Sequence, residues 1–146
     1  MRNFLTGKVW PVVAGLLTAF IVMMVFEYAN SFLYPIPEGL DVMDRDAVVA
    51  FTNSLPWTAY ILVLLGWAFG SFKAGCVTTY LAREHAYRLS FVVGIILSLL
   101  GIMNNLMIGH HYLFSVVGLP VFIIGTYLGH IYLRKVHAAR GAVSAA

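Results

Sequence analysis

The stretch LSFVVGIILSLLGIMNNLMIGHHYLFSVVGLPVFIIGTYLGHIYL, residues 89–133, decides the fold. It holds two apolar runs, Leu89–Ile108 and Leu113–Leu133, with no Asp, Glu, Lys or Arg in either. Each is long enough to cross a bilayer, which takes about 20 residues at 1.5 Å rise. Only Gly109–Tyr112 lies between them, so the two helices must run antiparallel as a tight hairpin. Gly109 suits the residue just past a helix end. Pro120 falls inside the second run; it frees the carbonyl of Val116 and is expected to kink the helix.

Working outward, two more runs have the same character, Val9–Tyr28 and Pro56–Leu81. The first follows Arg2 and Lys8, as a signal peptide would. Its apolar core is longer than a signal peptide's, and the following FEYANS is a poor small-residue cleavage site, so it reads as a retained helix. The composition agrees: 61% of the 146 residues are hydrophobic and 10% are charged, against about 25% charged in soluble domains. Mean hydropathy is +0.87. The expected fold is an all-α integral membrane four-helix bundle, one domain over 1–137, with a disordered tail over 138–146. The single cysteine, Cys76, excludes an internal disulfide and any C-x-x-C motif.

Lys and Arg mark the orientation. Arg2 and Lys8 precede the first run; Lys73, Arg83 and Arg88 lie at or near the second connection; Arg134, Lys135 and Arg140 follow the fourth run. Arg45 alone lies on the other side. Both termini are therefore expected in the cytoplasm, with the 29–55 loop and the turn between the third and fourth runs facing out. The net charge of +3 reports this asymmetry rather than a nucleic-acid partner. In the first outer loop, Asp44 can cap a short helix running to about Ser54, with Asp46 near its positive end. Val48, Phe51 and Leu55 would form its apolar face. It reads as an interfacial helix, with a lid over an outward cavity as the alternative.

Lipid tails are as apolar as leucine, so close approach through small residues drives helix association. Three stripes qualify: Gly66 with Gly70; Gly94, Ser98 and Gly101 leading to Asn105; and Gly118, Gly125 and Gly129. They can serve packing within one chain, a homo-oligomer, or a larger membrane-protein partner.

Ionisable and amide side chains at depth are the functional pointers. Glu27 and Asn30 near the outer end of the first run, Asn104 and Asn105 near that of the third, and His110 and His111 in the turn come to similar depth. Three readings stand: interhelical hydrogen bonds, a polar vestibule for an ion or small ligand, or a metal held by Glu27 with one histidine. No His-x-x-x-His or Glu-x-x-His spacing supports the metal. Lys73 lies about 15 Å deeper than Arg83 at helical rise. A helical wheel puts it about 20° from Gly66, facing the packing stripe; snorkelling is the other reading. His130 is on the inner half and cannot pair with His110 or His111 about a haem; His85 is its only conceivable partner.

The segment FLYPIPEGLD, Phe32–Asp41, with NNLMIGHH, Asn104–His111, resembles small four-helix bacterial inner-membrane proteins of unknown function. The resemblance implies this location and topology and no activity. A non-catalytic accessory or interaction protein, in contact with the bilayer and with no cofactor, is the expected role. A small oligomeric transporter or channel with an outward vestibule is the alternative, and a metal- or haem-bearing membrane protein the third.

Overall fold

The computed structural model describes residues 5–82, 84–108 and 112–144, with side chains except those of 5, 6, 112, 113, 115 and 141–144. A π-helical turn, Leu5–Val9, leads into α1 (Trp10–Leu33). Then come α2 (Arg45–Ser54), α3 (Trp57–Leu81), α4 (Ala86–Ile108) and α5 (Tyr112–Ser144). Four segments are long and apolar enough to span a membrane: Gly7–Leu33, Trp57–Leu81, Ala86–Ile108 and Val116–Arg140. The protein is an all-α four-helix bundle and a multipass membrane protein.

Helix ends follow local chemistry. α1 outruns its expected end at Tyr28 because nothing stops it before Pro35. Tyr34 leaves the helical conformation (φ −129°, ψ 72°), consistent with the bar that a following proline sets against the α region. The loop turns at Pro37–Leu40, where Leu40 N–H donates to Pro37 O at 3.2 Å and Gly39 has φ 86°. That conformation favours glycine. Asp44 caps α2 as expected: its carboxylate accepts from Asp46 N–H at 3.0 Å and Ala47 N–H at 3.3 Å. Pro120 sits inside α5 without ending it. The expected disordered tail is corrected in part: α5 continues to Ser144. The segment HAAR, His137–Arg140, is dominated by strong helix formers that propagate an existing helix.

α3 is the hub, packing on α1 along one side and α5 along another, while α4 packs mainly on α5. On α1 the buried row is Pro11, Gly15, Ala19 and Met23. Opposite it on α3 lie Gly66, Gly70, Ala74 and Thr78, all buried. Both rows advance by four residues, so each step turns about 40° around the helix. The α3–α5 contact is closer still. Gly75 faces the backbone of Thr126, and Gly129 faces the backbone of Phe72 and Cys76. Gly125 faces Ser71, and Gly118 lies under the Trp67 ring. On α4, Gly94 faces Thr126 and Ile123, and Gly101 faces the Phe122 ring. The glycines of all three stripes thus meet other helices of the same chain. Between α3 and α5 the core is aromatic: Trp67 packs on Phe114 (ring centroids 5.0 Å) and Phe122 (4.9 Å), and Tyr60 on Phe114 (5.4 Å). Hydroxyls inside the bundle mostly return to their own helix, as Ser71 Oγ does to Trp67 O at 2.6 Å and Thr126 Oγ1 to Phe122 O at 3.0 Å.

Helix α2 is tied over one end of the bundle. The Tyr60 hydroxyl donates to Thr52 O at 2.6 Å, and Arg45 Nη2 donates to Leu106 O at 3.1 Å. Val48, Phe51 and Leu55 are half-buried, and Leu55 packs on the core.

Candidate functional site

Polar side chains gather at the two ends of the bundle. At the α2 end, Asn105 is 7% exposed and continues the buried face Ser90, Gly94, Leu97 and Gly101. Both amide atoms of Asn105 are buried without a hydrogen-bond partner. Asn30 is half-buried, and its Oδ1 likewise has none. Asn104 is half-buried. His110 and His111 lie outside the described residues.

Glu27 does not join this group. After Met23 the α1 contact row steps by three to Phe26, which lies over Gly66 and stacks on Phe69 (5.8 Å). That step leaves Glu27 on the exposed face with Ile21, Met24, Val25 and Tyr28. Among the described residues no hydrogen bond links Glu27 to Asn30, Asn104 or Asn105. Lys73 is also exposed, which corrects its placement on the packing stripe. The wheel follows steps of seven, from 66 to 73, whereas the α1–α3 interface follows steps of four and buries Ala74. The long Lys73 stem is free to carry its ammonium towards the headgroups.

The other end holds a cluster that sequence reasoning did not assemble. His130 on α5 is 5% exposed. Its Nδ1 lies 3.0 Å from Thr79 Oγ1, and Thr79 Oγ1 lies 3.1 Å from Ser90 Oγ. The chain of three crosses α5, α3 and α4. Tyr87 stands edge-on to His130 (5.8 Å) and to Tyr127 (6.0 Å). A groove of about 380 Å³ opens beside them, lined by Tyr87, Tyr127, His130, Ile131, Arg134 and Lys135. His85, the conceivable haem partner, is exposed in the α3–α4 connection with φ 55°. The signal for the cluster was present in the pattern. Ser90 lies four residues before Gly94, and His130 lies four residues after the buried Thr126 of α5. Weighing His130 only as a haem ligand leaves its neighbours Thr79 and Ser90 out of account.

Among the described residues, no group of three or more His, Cys, Asp or Glu side chains is placed to hold a metal. Comparison with family models, with curated proteins and with solved structures finds no match to the chain.

Proposed function

We propose that this multipass membrane protein is a non-catalytic accessory or interaction subunit of a bacterial inner-membrane assembly. Both termini and the α3–α4 connection face the cytoplasm in this reading, supported by the eight Lys and Arg residues gathered at that end. One observation carries the interaction role. Glu27 lies within the span Gly7–Leu33 but on the outside of the bundle, among exposed apolar side chains. Ionisable residues in membrane spans ordinarily face the bundle interior or pair with another group. The interior side of α1 is filled by Met23 and Phe26. A donor on a neighbouring subunit, whether a second copy or a larger membrane protein, would relieve the carboxylate.

Purification in mild detergent, with identification of co-purifying chains and the mass of the complex, tests this. Glu27→Leu is expected to release the partner chain, while Glu27→Gln, which still accepts a hydrogen bond, retains most of it. Unchanged assembly in the Leu variant would defeat the reading. Asn105 supports the runner-up, a small oligomeric transporter or channel, because a buried amide without a partner is a place for a ligand or ion to bind.

A further inference from the structure

We propose that the groove between α4 and α5 at the basic end of the bundle binds the headgroup of an anionic phospholipid. Its mouth carries two cations, Arg134 and Lys135, and among the described residues no carboxylate lines it. Tyr87 and Tyr127 flank it, each about half exposed. These rings suit the boundary between headgroup and hydrocarbon, apolar in body and polar at the tip. A tighter cleft that shares Tyr87, Tyr127 and His130 with it lies between those residues, Ser90 and Phe91. At about 380 Å³ it falls within the size range of small-ligand sites.

Position separates this arrangement from an ordinary basic helix end. From Tyr127 to Arg134 the lining rises about 10 Å along α5, so the groove spans the distance from the tyrosine level to the two cations. A phosphodiester at Arg134 and Lys135 would leave its glycerol and chains beside Ile131 and Phe91. His130 gives the floor a fixed polar group. Thr79, itself joined to Ser90, engages Nδ1, so the ring is held and Nε2 is its remaining hydrogen-bonding atom. No other hydrogen bond to His130 is found among the described residues. Basic pockets between membrane helices, with a polar floor and apolar walls, match anionic headgroups. The site does not involve Glu27 and stands apart from the subunit reading.

The test uses the full-length protein in nanodiscs of phosphatidylcholine, alone or with a minor fraction of phosphatidylglycerol. Native mass spectrometry reads retained lipid, and thermal unfolding reads stabilisation. Phosphatidylglycerol is expected to remain bound and to raise the melting temperature. In the variant Arg134→Gln with Lys135→Gln its apparent affinity falls on the order of tenfold, two surface cations being removed. Arg88→Gln with Arg140→Gln, exposed cations at the same end but outside the groove, leaves it unchanged. Tyr127→Phe weakens retention less than the double charge variant and guards against a folding failure of the latter. Equal losses in the two charge variants would reduce the effect to general surface attraction and overturn the site. Displacement of the lipid by inorganic phosphate at equal concentration would identify a free phosphate site and overturn the lipid assignment.

Discussion

Gly75→Ala tests the backbone contact between α3 and α5. A Cβ on residue 75 would run into the carbonyl oxygen of Thr126 and lie 2.8 Å from its carbonyl carbon and Cα. Optimal carbon–carbon separation begins at about 3.5 Å, so the methyl intrudes on those carbons alone by about 0.7 Å, and on the oxygen by more. The obstacle is backbone in the middle of a helix, which no rotamer change can move aside. The helices must separate, and a gap of that size forfeits roughly a quarter to a half of the dispersion energy of each contact it opens. Gly129 against Phe72 and Gly125 against Ser71 lie along the same seam. Overpacking of this kind costs about 3 kcal/mol at the upper end of its usual range. Alanine's helix propensity returns about 1 kcal/mol. The net expectation is a loss of about 2 kcal/mol. The assay is unfolding by a denaturing detergent in mild-detergent micelles, followed through tryptophan fluorescence, with Trp67 in the same interface. Gly7→Ala is the control, since nothing lies within 4 Å of its added Cβ; it should be neutral or slightly stabilising. A Gly75→Ala protein as stable as wild type would refute the close contact.

Three further substitutions probe the polar groups. Asn105→Leu should stabilise the bundle by about 1–2 kcal/mol in the same assay, because it removes two buried unpaired groups; a marked loss would mean the amide has a partner. Tyr60→Phe removes the donor to Thr52 O and should cost about 1 kcal/mol, with limited proteolysis cutting faster within α2 (Arg45–Ser54); an unchanged digestion rate would show that this bond does not hold α2 down. Thr79→Val strips His130 and Ser90 of their shared partner and should cost about 1–3 kcal/mol, whereas an unchanged melting curve would dismiss the three-residue chain.

What the sequence disclosed follows from range. Span number and the antiparallel hairpin depend on hydropathy and on a four-residue turn, both local. The start of α2 depends on Asp44 and two backbone N–H groups next to it. The glycines revealed that helices would meet closely, yet not which pairs. That choice depends on three-dimensional arrangement: Gly66 and Gly70 went to α1, while Gly75, five residues on, went to α5. Lys73 was misplaced because a wheel assumes one fixed face, whereas a four-step row turns as it advances. Glu27 was grouped with Asn105 by depth alone. Depth can be counted along a chain, but the direction of a side chain around its helix depends on the neighbour, here Phe26 taking the contact in its place. The link from His130 to Thr79 and Ser90 is hidden for the same reason, the two residues lying 51 and 40 positions away in sequence.

The most direct test of the proposed membrane arrangement is labelling with a membrane-impermeant maleimide in a Cys76→Ser background. Glu38→Cys lies in the loop before α2, Glu84→Cys in the α3–α4 connection, and Arg140→Cys near the end of α5. In cells with a permeable outer layer and an intact inner membrane, the Glu38 variant should label at once. The Glu84 and Arg140 variants should label only after the inner membrane is opened. Labelling of the Glu84 variant in intact cells, or protection of the Glu38 variant, would contradict four spans with the basic end inside.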